Sequence, residues 1–384
     1  MDKKILIGTD ELTMVIFCDL SDLKDEEEWS DIAESTIDYF ARILKFEKVF
    51  GEKMDMDASP PAGYSIAYTF GNNPFYFAIA YHPTNPNMGI ICKFSAYSWS
   101  EYCSKWFDVF KRRMDIKKFA DLTKVDGYIS RFSRVDFTID YQNFDTTVDN
   151  LYSAINKGEI EIRNHKGIKN NSKTNGFFQD EFQTFYIGSR KKNSRLFLRV
   201  YDKKVEQLEN PTFRYEEALN VESRVRFEGV FKSKYAHDIT DMLREEVDDS
   251  EDSLMAFIAG KLLEKYQFFN VMEDKQIEFT SELVKIYDKR NTEYSHLRIE
   301  NPRNSDLMQS INYIVLNSGL MTLIHKIKNV FGEKEVNEFF EYLLGYYLNN
   351  YKPNKDVELW IDKNRSSVMK GELEKIFNQI KKHK

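Results

Sequence analysis

Three stretches of this chain alternate apolar and charged side chains with a period of two. In 131-RFSRVDFTIDY-141, Val135, Phe137 and Ile139 fall on one side and Arg134, Asp136, Thr138 and Asp140 on the other. In 195-RLFLRVYDKK-204, Leu196, Leu198 and Val200 oppose Phe197, Arg199, Tyr201 and Lys203. In 224-RVRFEGVFK-232, Val225, Phe227 and Phe231 alternate with Arg224, Arg226 and Glu228. This period belongs to strands with one face in a core and the other on a polar surface. Paired about 4.8 Å apart, the three strands would gather carboxylates, guanidiniums and a phenol on one sheet face. Cations around a phenol suit phosphoryl chemistry: they hold phosphate oxygens and lower the cost of a phenolate, so Tyr201 is a candidate nucleophile.

The remaining pattern predicts an α+β fold, a mostly antiparallel curved sheet with flanking helices followed by a helical C-terminal region. Residues 12–20 read as a buried strand. The acidic run 25-DEEEWSD-31 opens a helix whose stripe (Trp29, Ile32, Ala33, Ile37, Phe40, Ile43, Leu44) is core. The aromatic runs 64–70, 75–82 and 89–95, broken by Asn-Pro and Gly, predict a meander. Helices are expected over 97–114 and 147–158, a basic loop over 163–176, and a hairpin over 183–204 turning at Lys192-Asn193-Ser194. A helix that starts near Val205 is stopped by Pro211. The acidic segment 244-REEVDDSEDS-253 is the expected domain boundary, giving 1–243 and 253–384. Helices are expected beyond it at 253–270, 276–288, 304–330, 334–350 and 366–382, with Phe339, Phe340, Leu343, Leu344 and Tyr347 as a packing stripe.

Several chemistries are excluded. There is no P-loop or dinucleotide fingerprint. The six histidines (82, 165, 237, 296, 325, 383) are isolated in sequence, so a metal site is expected to be built from carboxylates, which suits Mg²⁺ or Mn²⁺. The three cysteines lack metal or disulfide spacing and read as free thiols. No leader or membrane-spanning run is seen, so a soluble cytoplasmic protein is expected. A net charge of −7 speaks against a nucleic-acid partner only if charge is spread evenly. It is not. From Tyr186 to Lys204, Arg190, Lys191, Lys192, Arg195, Arg199, Lys203 and Lys204 stand against Asp202 alone. The plainer reading of that run is a solvated basic surface.

The ordered set 134-RVDFTID-140, 185-FYIGSRKKNSRLFLRVYDKKVEQ-207 and 226-RFEGVFK-232 resembles the Rep_trans family, initiators of rolling-circle plasmid replication and related relaxases of conjugative elements. Its pattern is R-x-D-x-x-x-D, Y-x-G-S-R, R-x-Y-x-K and R-x-E. The resemblance implies a nicking-closing enzyme in which Tyr201, placed by the R-x-Y-x-K piece, forms a 5′-phosphotyrosine and frees a 3′-OH, with Arg199 and Lys203 holding phosphate oxygens. Tyr186 competes for the nucleophile's role. The implied partners are origin DNA (single-stranded, extruded or duplex), a host helicase and a second copy in a homodimer. A conjugative relaxase and a non-cleaving DNA-binding protein are the alternatives.

Spacing ranks the carboxylates. Asp136 and Asp140 lie four residues apart, roughly 13 Å on a regular strand, too far to share an ion with ligands at about 2.1 Å. Asp136 with Glu228 is the expected metal pair, with Asp140 a lesser ligand or a group behind it. Arg190, Lys191, Lys192, Arg195, Lys204, Arg134 and Arg226 are the expected DNA contacts.

Overall fold

The computed structural model describes residues 2–290 except 21, 22, 24, 171, 173, 180, 181, 192, 193, 211 and 213, then 294–297, 311, 314, 315, 318–353, 357, 358 and 361. Of 177–179, 182 and 183 it describes the backbone only. Two compact units result, Met1–Leu297 and Arg298–Lys384.

The first unit is α+β. Among the described residues thirteen strands run in chain order: β1 (Lys4–Cys18), β2 (Lys53–Asp55), β3 (Ile66–Phe70), β4 (Phe77–Tyr81), β5 (Ile90–Phe94), β6 (Tyr128–Gln142), β7 (Ile160–Arg163), β8 (Thr174–Gln179), β9 (Phe182–Ile187), β10 (Leu196–Asp202), β11 (Arg224–Lys232), β12 (Gln267–Asn270) and β13 (Lys275–Gln276). Ten form one open sheet ordered β2-β3-β4-β5-β1-β6-β11-β10-β9-β8, and β13-β12-β7 form a small one. Their pairings are antiparallel.

The long strands sit at the centre because their apolar faces are continuous. Val135, Phe137, Ile139, Leu198, Val200, Val225, Phe227 and Phe231 are all buried. The helix Glu251–Leu263 lies on this face, with the Phe257 ring 6.2 Å from that of Phe137. At the other end, Phe46, Phe77, Phe94 and Tyr102 pack edge-on or tilted around the β4–β5 meander, with centroids 4.5–6.0 Å apart. Such pairs add to the area they bury. Side-chain caps set the helix starts: Asp25 for Glu26–Ile43, Ser95 for Ala96–Phe110, Thr147 for Val148–Asn156 and Asp202 for Lys203–Glu209.

Some expectations shift. Strand β1 starts at Lys4 rather than 12, because 4-KILIGT-9 pairs with β6 alone. The stretch 267-QFFN-270 is a strand on β7, so the helix expected over 253–270 ends at Leu263. The acidic segment 244–253 lies inside the first compact unit. There Ser250 caps the next helix by accepting from Ser253 N. The hairpin turn at Lys192-Asn193 and the helix expected at 366–382 lie outside the described residues.

Within the second unit, helices Leu320–Phe331 and Glu333–Asn350 meet at Gly332, whose φ of 103° lets the chain turn sharply. Phe340, Leu343, Leu344 and Tyr347, expected as packing residues, are exposed.

Gly71 closes the turn after β3 with φ 59°, and a Cβ there would lie 1.9 Å from the Phe50 carbonyl oxygen. Gly71→Ala therefore combines a backbone clash with an unfavourable dihedral. Urea denaturation should show a loss of at least about 1–3 kcal/mol.

Candidate active site on the polar face of the sheet

The register of the central strands builds two rows of side chains across the face opposite the core. One row is Tyr186 (β9), Arg199 (β10), Glu228 (β11), Thr138 (β6) and Gly8 (β1). The next is Thr184, Tyr201, Arg226, Asp140 and Leu6. Asp136 stands on the same face opposite Val230. A bulge in β1 between Thr9 and Leu12 turns Asp10 and Glu11 toward these rows.

The second row is a closed ion-pair network. Arg226 Nε donates to Asp140 Oδ1 at 2.5 Å and Arg226 Nη2 to Oδ2 at 2.8 Å. Arg224 donates from Nε and Nη2 to Oδ2 at 2.9 and 2.6 Å. Arg226 Nη1 reaches Asp10 at 3.2 Å, and Arg224 Nη1 reaches Gln207 Oε1 at 3.0 Å. All three central groups are buried. Burial alone would push the Asp140 carboxyl up, but the two guanidiniums win and bring it down to about 2. Asp140, expected as a lesser metal ligand, accepts from two buried guanidiniums, where Asp136 and Glu228 each accept from one, and Arg226, expected as a DNA contact, is buried in this network.

The first row is different. Arg199 Nη2 donates to Glu228 Oε2 at 2.5 Å, and the Tyr201 hydroxyl to the same oxygen at 3.3 Å. Arg134 grips Asp136 with Nε and Nη2 at 2.9 and 2.6 Å and reaches Glu11 at 2.7 Å. Asp136 and Glu228 are both about 1% exposed. Burial raises both carboxyls above their ordinary range, outweighing the arginines, and each charge near Asp136 from Glu228 and Glu11 adds to the rise. These two buried carboxylates, each hydrogen-bonded by a single arginine, offer oxygen donors of the kind that small hard cations take.

Tyr201 is 3% exposed. Burial, ahead of the arginines, raises its phenol well above the usual value, so it stays protonated. Arg199 lies over the ring at 4.7 Å, and it and Arg226 act against this rise, as the sequence predicts for cations near a phenol, but desolvation is the larger effect. Asp202 caps a helix, so Lys203 is that helix's first residue rather than a further strand residue. Its ammonium is buried, pairs with Glu206 at 2.6 Å and lies 5.7 Å from the Tyr201 ring. Tyr186 is only partly buried, with the Arg190 guanidinium over its ring at 4.4 Å.

Among the expected DNA contacts, Arg190 and Lys191 are exposed and Arg195 is half-buried. Lys204 donates to the Glu222 carbonyl at 3.2 Å. Lys192 lies outside the described residues. Arg134 keeps 31% of its side chain exposed while holding Asp136. Asp10, Glu11, Gln207 and Glu206 were not anticipated. Adjacent acids in an otherwise apolar strand were the available signal for the bulge that delivers the first two.

The sequence profile of the replication initiation factor family, Rep_trans, matches residues 130–339, more than half of the chain. The chain belongs to the replication initiation factor family. Its fold is similar to that of a rolling circle replication initiator protein from Geobacillus stearothermophilus, with a TM-score of 0.50 and 16% identity over 74% of this chain and 97% of that one. No curated protein matches the sequence. Among the described residues no helix is long and apolar enough to cross a membrane.

Removing the Asp140 charge should damage the fold before the chemistry. Asp140→Asn leaves two buried guanidiniums underpaired, and urea denaturation should show a loss of about 3–5 kcal/mol. The sign of its pH effect follows from the lowered carboxyl. The wild-type contribution is complete above the ordinary carboxylate range, about 4, and disappears as pH falls toward about 2. The variant should lack that part of the acid-induced loss.

Proposed function

We propose that this chain nicks and rejoins one strand of origin DNA through a tyrosine–phosphate linkage, and so initiates rolling-circle replication of a mobile element. Family membership supports the initiation role. The row Tyr186–Arg199–Glu228 supports the chemistry, because it sets a phenol, a guanidinium and a carboxylate side by side on adjacent strands.

Tyr186 is the nucleophile in this reading. A nucleophile must meet a phosphate, and Tyr186 is the partly exposed tyrosine of the pair, whereas Tyr201 is buried beneath Arg199. The Tyr186 oxygen forms the new bond to phosphorus and gives up its proton to solvent. The bond from phosphorus to the 3′ oxygen breaks, and that oxygen takes a proton to become the free 3′-OH. The linkage conserves the energy of the broken bond, so rejoining needs no nucleotide hydrolysis. Arg199 and Arg190 hold the phosphate oxygens as charge develops. Tyr201 keeps Glu228 in place through its hydroxyl, and Lys203 adds positive charge behind it. Asp136 and Glu228 would hold Mg²⁺ or Mn²⁺, with Glu11 beside them. Such an ion supplies Lewis-acid polarisation of the scissile phosphate.

Lys191, Lys192, Arg195, Lys204 and Arg134 contribute phosphate contacts from the β9–β10 hairpin and its surroundings. The helices of the second unit, with their exposed apolar and aromatic side chains, would serve duplex recognition, homodimer formation or helicase recruitment. The protein acts in the cytoplasm in this reading. A conjugative relaxase would use the same residues, and the genes neighbouring this one distinguish the two.

Three variants test the assignment on a supercoiled plasmid that carries the element's origin. Tyr186→Phe should abolish the protein-linked 5′ end while retaining DNA retardation. Tyr201→Phe should lower nicking roughly fivefold and keep the adduct, as expected for one lost hydrogen bond of about 1 kcal/mol. The reverse pattern would transfer the role to Tyr201. Retardation without cleavage by the wild type under any divalent ion would leave only a DNA-binding protein.

Metal dependence carries a pH signature. Asp136 and Glu228 hold their protons above the ordinary carboxylate range, and a divalent ion must displace them. Apparent Mg²⁺ affinity, measured by calorimetry, should therefore rise with pH through and above that range. Asp136→Asn and Glu228→Gln should each cut cleavage by at least about a hundredfold.

A further inference from the structure

His165, Glu264 and His296 are far apart in sequence and meet in space. His165 is in the loop after β7, Glu264 follows the helix Glu251–Leu263, and His296 lies in the segment 294–297. Their ligating atoms lie within 4.8 Å of one another, and among the described residues no other cluster of this kind occurs. The two imidazoles stack with centroids 4.2 Å apart. His165 Nδ1 lies 3.1 Å from the Glu264 carbonyl oxygen. A carbonyl only accepts, so Nδ1 carries the proton and Nε2 keeps its lone pair, the usual arrangement of a ligating histidine held from behind.

The carboxylate is fixed in advance. Glu264 is 4% exposed. Leu297 N donates to its Oε2 at 3.1 Å, and Lys265 Nζ meets its Oε1 at 2.9 Å. Lys261 is 4.0 Å from Oε2 and spends its ammonium on the Ser295 carbonyl. His296 Nδ1 approaches the same Oε2 at 3.7 Å.

We propose that His165, Glu264 and His296 bind one zinc-class divalent ion. Two nitrogens and one oxygen are a common three-residue zinc set with a fourth position for water. Imidazole ligands favour such ions over Mg²⁺ and Mn²⁺, so this site is chemically distinct from Asp136 and Glu228. It is also spatially distinct. The helix that ends just before Glu264 packs against Phe137, on the side of the sheet opposite Asp136. A bound ion would tie the basic loop after β7 to the segment that leads into Arg298, where the second unit begins.

Co²⁺ is the probe. The full-length protein, stripped with chelator, should take up one equivalent of Co²⁺ with the visible absorption of a four-coordinate ion and no thiolate charge-transfer band. Excess Mg²⁺ should not displace it. His165→Gln and His296→Gln should each weaken binding by about 10–100-fold, whereas Asp136→Asn should leave it unchanged. Because His296 is half exposed, its variant should melt like the metal-free wild type. Zn²⁺ should raise the melting temperature of the wild type and fail to do so in the double histidine variant. Absence of the band, a six-coordinate spectrum, competition by Mg²⁺, or equal binding by the histidine variants would each overturn the proposal.

Discussion

The buried contact of Asp140 with Arg224 and Arg226 governs the rest of the sheet face. Three charges sit out of water in the middle of an antiparallel sheet, where each alone would be very costly. Together they form four hydrogen bonds between 2.5 and 2.9 Å, and Asp10 and Gln207 take up further donors. The closure of this network fixes the register of β6 against β11. That register in turn places Glu228 opposite Thr138 and beside Arg199. A slip of one residue would turn every charged side chain into the core.

The adjacent row is left electrostatically unfinished. Asp140 is overpaired and stays ionised to about pH 2, whereas Asp136 and Glu228 are underpaired and resist ionisation. The contrast arises from arginine count and not from burial, which is nearly complete for all three. One carboxylate is used to hold the sheet together, and the other two retain a demand for positive charge. In the proposed function a divalent ion would meet that demand. Tyr201, a member of the second row, links it to the first by donating to Glu228.

Much of this was legible in the sequence because period-two alternation is a local signal. The three central strands and their common polar face follow from residue spacing. Burial is not legible in the same way. Alternation places Tyr201 and Arg226 on the polar face, but it cannot reveal that helix Lys203–Glu209 and the β1 bulge cover that end of it. Strand β7 was missed although 159-EIEIR-163 alternates, since its partner Gln267–Asn270 is about a hundred residues away. The isolation of histidines in sequence likewise concealed the approach of His165 to His296.

The most direct test identifies the tyrosine that holds the DNA. Full-length protein would be trapped on a single-stranded origin oligonucleotide with Mg²⁺, digested, and the peptide bearing the nucleotide read by mass spectrometry. A modified peptide containing Tyr186 is the result the proposal predicts, because that partly exposed phenol lies beside Arg199 on the polar face. Modification of Tyr201 would contradict it, and would mean that the helix covering the second row opens when DNA binds.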